Sequence, residues 1–236
     1  EEPVDGSPRV RPGPERLQAR FRSAVVLHEL KRNGEATAAL RQMQSDATLE
    51  EPARLNAYLV EAELHQKDGD DEAEADVYAR GLAAYPDEAA LLYSRGLMWE
   101  RRDEIARAEA DLRRILVADP ENVAALNALG YTLADRTQRY EEALELIERA
   151  RVAEPDNPAI IDSYGWVLYR LGRNEDALVH LRRAYTLQKD AEIGAHVGEV
   201  LWVLGRKDEA RRYFEEARKI DPENRSLQRA LEKVGG

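Results

Sequence analysis

The stretch Pro155 to Gln188, PDNPAIIDSYGWVLYRLGRNEDALVHLRRAYTLQ, decides the fold of this chain. Its apolar residues recur at helical spacing in two blocks. Ile161, Tyr164, Gly165 and Leu168 mark one face of a first helix, and Ala177, Leu178, Leu181, Ala184 and Tyr185 mark a second. Gly172 between them makes the turn.

The same unit recurs on both sides of this stretch. Prolines stand at Pro52, Pro86, Pro120, Pro155 and Pro222, at steps of 34, 34, 35 and 67 residues, the last about twice the others. A proline just past a second helix cannot prolong it but can open the next segment. Small residues keep the same phase in each first helix: Ala62, Gly96, Gly130, Gly165 and Gly198. A glycine inside a helix costs about 1 kcal/mol relative to alanine, so four in phase need a cause. Close passage of the paired helix supplies it, because a side chain there would overpack the crossing. Ala108, Ala143, Ala177 and Ala210 in the second helices, with Leu112, Ile147, Leu181 and Phe214 four residues on, complete the pattern.

A period near 34 residues with helix, turn, helix and proline is the pattern of the tetratricopeptide repeat, and the chain resembles that family from about Leu17 onward. The resemblance implies an all-α fold, an α-solenoid wound as a right-handed superhelix of about five to six helix-turn-helix units. The segments are a flexible linker over residues 1–14, a degenerate first repeat over 15–54, five repeats over 55–224 and a capping helix over 225–236. In the last segment Leu227, Ala230, Leu231 and Val234 share one face. The repeat from Val123 to Asn157 carries one extra residue in its ADRTQRY turn, and the repeat before Ala191 is one residue short.

Composition excludes several function classes. A net charge of −11 argues against a protein built to neutralise nucleic-acid phosphates. The charge is uneven, with eight Arg and Lys against six Asp and Glu between Glu1 and Arg41, so the acidic excess lies in the array. The absence of cysteine removes disulfides, thiolate metal sites and thiol nucleophiles. No apolar run reaches the roughly 20 residues of a membrane span. Phosphate loops, dinucleotide fingerprints, HExxH and GxSxG are all missing. His28, His65, His180 and His196 fall in different repeats, and nothing in their spacing makes them converge, so they read as surface or partly packed residues. The chain is therefore expected to be non-enzymatic, with no cofactor and no metal.

Stacked helical pairs offer an extended inner surface lined by their first helices. The family resemblance places groove-lining side chains there at Tyr93, Leu97 and Arg101, at Asn127 and Tyr131, at Asp162, Trp166, Tyr169 and Arg170, and at Trp202. Trp166 and Trp202 flank the core phase set by Leu168 and Leu201 and are expected to be exposed, forming an aromatic track with Tyr93, Tyr131 and Tyr169. The lysine clamp that related domains use for acidic chaperone tails is not built, since Asp162 has the wrong sign and lysine is missing from the clamp positions.

Two segments, LNALGYTLADRTQRYEEALELIERA and IIDSYGWVLYRLGRNEDALVHLRRAY, resemble more closely the tetratricopeptide lipoproteins of the Gram-negative outer membrane. That likeness implies an adaptor that binds a periplasmic carboxyl-terminal processing protease and promotes degradation of peptidoglycan hydrolases. It also implies a periplasmic location, held to the outer membrane by an upstream lipidated Cys not present in this chain. The alternative is a structural assembly module that self-associates through its N-terminal repeat, where the stretch Phe21 to Leu30 is apolar.

Overall fold

A computed structural model describes residues 13–235, and all regular structure among them is helical. The expected linker falls outside the described residues up to residue 12, and Pro14 already opens the first helix at its N1 position, where a missing N–H costs nothing.

The helices come as successive hairpins. The first two pairs are α1 (Pro14–Glu29) with α2 (Asn33–Ser45), and α3 (Glu51–Asp68) with α4 (Asp71–Ala84). Next in the chain come α5 (Ala89–Arg101) and α6 (Ile105–Ala118), followed by three more hairpins: α7 (Val123–Arg136) with α8 (Tyr140–Ala153), α9 (Pro158–Arg170) with α10 (Asn174–Leu187), and α11 (Ala191–Val203) with α12 (Lys207–Ile220). A single helix, α13 (Arg225–Val234), follows them. The described residues fall into two compact units divided between Met98 and Trp99, within α5.

The first unit packs α1, α2 and α3 around Ala24, Leu40, Met43, Ala57 and Leu64, with Leu17 and Phe21 closing over them. Its polar centre is Glu61, 1% exposed on α3, which accepts from Gln44 Nε2 (2.5 Å), Arg41 Nε (3.0 Å) and Arg80 Nη2 (3.0 Å). A buried carboxylate is tolerable only when donors replace its lost water, and three do so here.

In the second unit the in-phase glycines mark helix crossings. A Cβ on Gly130 would lie 2.6 Å from Ile147 Cγ1, one on Gly165 2.7 Å from Leu181 Cγ, and one on Gly198 2.5 Å from Phe214 Cε1. The large residue four places after each small alanine thus lands on the glycine of its partner helix, and no side chain fits between. The hairpin turn at Gly172 has φ +80°, with Gly172 N–H donating to Tyr169 O (2.9 Å) and Arg173 N–H to Leu168 O (2.9 Å), a paired closure that glycine makes without strain. The extra residue after α7 is handled differently: Thr137 stays extended, its hydroxyl donates to Leu133 O (2.6 Å), and it accepts from Arg139 N–H (3.0 Å).

α13 covers the last repeat by packing chiefly along α11 and only sparsely on α12. Ser226 donates to Glu192 and Lys233 to Glu199, each pair 34 residues apart, so α13 runs parallel to α11 at one repeat's offset. It sits where the first helix of a further repeat would begin but leans toward the first helices of the unit. The reason lies in its side chains: only Leu227 and Ala230 are buried, whereas its Arg and Lys residues find acids on α5, α7 and α11.

Candidate protein-binding face

The first helices α7, α9 and α11 form one face of the second unit, and its centre is ionic rather than apolar. His196 on α11, 2% exposed, places Nδ1 2.8 Å from Asp162 Oδ1 on α9 and Nε2 3.2 Å from the Tyr131 hydroxyl on α7. Tyr131 O–H donates to Glu192 Oε1 (3.0 Å), which also accepts from Ser226 Oγ (2.9 Å). The Trp166 ring stacks on His196 at 4.1 Å between centroids, and its Nε1–H donates to Asp135 Oδ1 (3.1 Å). Asp135 takes a second donor, Arg229 Nη1, at 3.1 Å.

The charge states follow from this arrangement. Burial alone pulls the His196 imidazole toward neutrality, but the Asp162 carboxylate, with Glu192 and Asp135 beyond it, overrides burial and raises its pKa to about 9. Burial pushes the Asp135 carboxyl up, against the opposing pull of His196 and Arg229. Burial and the acids Glu192, Asp135 and Asp162 together hold the Tyr131 phenol well above its ordinary range. At neutral pH the face thus holds an imidazolium ringed by carboxylates.

α13 lies against this face with one cation per helical turn. Arg225 Nη1 is 3.4 Å from Glu100 Oε2 on α5, Arg229 pairs with Asp135 on α7, and Lys233 Nζ is 3.2 Å from Glu199 Oε2 on α11 and 2.8 Å from the Tyr169 hydroxyl on α9. Arg136 backs the row by pairing with Glu100 (2.8 Å) and Asp103. Between helix and face remains a cleft of about 200 Å³, lined among others by Trp166, Arg170, His196 and Ala230.

The expected exposed aromatic track is therefore not present. Trp166 is 5% exposed and Tyr169 9%, and Asp162 is buried as well, because Asp135, His196 and Lys233 of α13 engage them. Tyr131 and Arg170 are half-buried on the same face, Arg170 donating to the Tyr140 hydroxyl (3.0 Å). Asn127 is half-buried with an unpaired Oδ1. Trp202 is partly exposed but stands apart, beside Phe214, Leu231 and Val234, with Lys207 and Arg211 within 5.4 Å of its ring centre. Tyr93 and Leu97, both half-buried, belong to the first unit, and the half-buried Arg101 to the second. His196, read from the sequence as an incidental histidine, is instead the hub. The signal that could have found it was its offset of 34 residues from Asp162, which aligns the two on neighbouring first helices.

Comparison with known proteins agrees with the helical pairs. Models of the tetratricopeptide repeat match residues 71–122, 100–158 and 195–224. The chain is a tetratricopeptide-repeat protein. It is 40% identical over 196 residues to the TPR repeat-containing protein PA4667 of Pseudomonas aeruginosa, which covers 83% of this chain and 33% of PA4667. This tetratricopeptide-repeat protein thus spans about a third of that relative's length. Among solved structures it resembles a tetratricopeptide repeat protein from Parabacteroides merdae, with a TM-score of 0.71 and 17% identity over 95% of this chain and 86% of that one. It also resembles PilW, a widely conserved type IV pilus biogenesis factor, with a TM-score of 0.65 and 20% identity over 93% of this chain and 100% of that one. At such identities the structural likenesses speak for the fold alone. Tetratricopeptide repeats are in general non-catalytic scaffolds for protein partners. Among the described residues of this one, no cluster of His, Asp and Glu could hold a metal ion, and no helix is long and apolar enough to cross a membrane.

Proposed function

We propose that this tetratricopeptide-repeat protein is a non-catalytic adaptor that takes up a protein partner on the face formed by α7, α9 and α11. The observation that carries this reading is the set of nearly buried acids on that face. The Asp135 and Glu199 side chains keep only 12% and 9% exposure, and both are turned toward an amphipathic helix. Buried carboxylates cost stability unless a cation reaches them, so a face that retains several is organised around a cationic polypeptide.

The more specific reading is an adaptor for a periplasmic carboxyl-terminal processing protease, anchored at the outer membrane and promoting degradation of peptidoglycan hydrolases. It is supported by the resemblance carried by residues 126–150 and 160–185. Affinity purification from a cell-envelope extract, with the chain as bait, is expected to recover the protease. Adding the chain to protease and hydrolase should then accelerate proteolysis. An extract that yields no protease would falsify this assignment.

A second reading, self-association as an assembly module, has its own observation. An apolar cleft of about 500 Å³ opens beside Leu17, Phe21, Leu49 and Pro52 in the first unit, and Leu30 is 61% exposed. Light scattering over a hundredfold range of concentration separates the two: a constant monomer mass speaks for the adaptor, a rising mass for assembly.

A further inference from the structure

The geometry points to a specific partner chemistry for this face: an amphipathic helix with cations at i, i+4 and i+8 and small or apolar residues between them, for which α13 is a built-in stand-in. The inference rests on the reading of α7, α9 and α11 as a binding face.

Three features carry it. The first is register. Arg225, Arg229 and Lys233 fall on one side of α13 at successive turns, and each meets an acid on a different helix, namely Glu100 on α5, Asp135 on α7 and Glu199 on α11. A face that spaces its acids to match one helical turn reads a helix, not an extended chain.

The second is asymmetry of burial. The acid side chains keep only 9% to 21% exposure while those of their cations remain 39% to 50% exposed, so the acidic half is set into the scaffold and the cationic half sits at its surface. α13 has ten residues, buries two side chains and packs weakly on α12. A helix of that length is marginal by itself, so it depends on these contacts.

The third is incomplete fit. The cleft of about 200 Å³ stays open beneath Ala230, and Arg170 Nε on its wall is buried without an acceptor. A partner helix with a longer side chain at the position of Ala230 would fill that space and could bring the missing acceptor. α13 therefore holds the site with less than its full complement of contacts, and a better-matched helix displaces it.

The test uses the full chain and a fluorescent synthetic peptide with the sequence of residues 225–234. A control peptide carries Gln at the positions of Arg225, Arg229 and Lys233. Arg229→Glu in the full chain sets a carboxylate against Asp135 and loosens α13. This variant is expected to bind the cationic peptide at least tenfold more tightly than the unaltered chain, and the Gln peptide at least tenfold more weakly than the cationic one. Equal binding of both peptides, or of neither while circular dichroism shows the variant's helices intact, overturns the proposal. If the variant fails to fold, hydrogen exchange on the unaltered chain decides. Excess cationic peptide should speed exchange of α13 amides at least fivefold while α11 amides stay protected, and unchanged α13 exchange overturns the proposal. A dimer of the unaltered chain that dissociates on adding the peptide would make a second copy the occupant and also overturns it. Failure here together with recovery of a protease from envelope extract removes the helix reading while leaving the adaptor reading in place.

Discussion

The Trp166 indole lies flat against the His196 imidazole, 4.1 Å between ring centres and 24° apart in plane, with Asp162 on the far nitrogen side at 2.8 Å. An aromatic face over an imidazolium, with a carboxylate at its edge, stabilises the charged ring in a place where burial would otherwise neutralise it.

The first prediction concerns pH. The pKa of His196 is about 9 in the folded chain, above the 6.5 of an unperturbed imidazole, so its stabilisation is complete below about pH 6.5 and lost as pH rises toward 9. The groups facing it are Asp162 on α9, Asp135 and Tyr131 on α7 and Glu192 on α11. The shift corresponds to about 3 kcal/mol. Urea unfolding at pH 6 and pH 9 should show the loss in the wild-type chain and a much flatter profile in His196→Gln.

Asp162→Asn should destabilise the chain at neutral pH and bring the His196 pKa down. With its nearest counter-charge gone, burial drives the imidazole toward its neutral form, and breaking one side of a buried pair costs about 3 kcal/mol. His196→Gln/Asp162→Asn should recover part of that loss, and a double-mutant cycle by urea unfolding measures the coupling. A coupling energy near zero would show that the two residues act independently.

Trp166 and Trp202 should behave differently. Trp166→Ala removes a buried ring and its hydrogen bond to Asp135, and is expected to cost about 3 to 5 kcal/mol. Trp202→Ala removes a partly exposed ring flanked by Lys207 and Arg211, and should cost about 1 kcal/mol. Thermal unfolding distinguishes them, and equal losses would contradict the two environments.

Gly165→Ala should destabilise by about 1 to 3 kcal/mol, since its new Cβ would meet Leu181 Cγ at 2.7 Å. Gly34→Ala should not, because no atom lies within 4 Å of a Cβ there and alanine favours the helix. Urea denaturation of the two variants tests whether crossing contacts, and not glycine itself, set the requirement.

Glu61 holds the first unit's polar centre. Glu61→Ala removes the acceptor shared by Gln44, Arg41 and Arg80, leaving Gln44 with Ala57 O and Arg80 with Asp76 and Gln44 Oε1, and is expected to cost about 1 to 2 kcal/mol. Arg41→Ala, whose side chain is half exposed, should cost under about 1 kcal/mol by the same measurement.

The periodicity of small and large residues determined the helical pairs by itself, and with them the crossing of Gly165 on Leu181 and of Gly198 on Phe214. These are local consequences of a 34-residue period and of volume. What surrounds Trp166 was settled only in three dimensions. Its helical phase places it beside the core stripe, which in isolation means exposure, but Asp135 lies 31 residues before it, and His196 30 and Arg229 63 residues after it. Periodicity assigns a side chain to a face of its own helix. What covers that face depends on how later helices fold back, and here the charge pattern of α13 draws a helix over acids that the linear sequence leaves far apart.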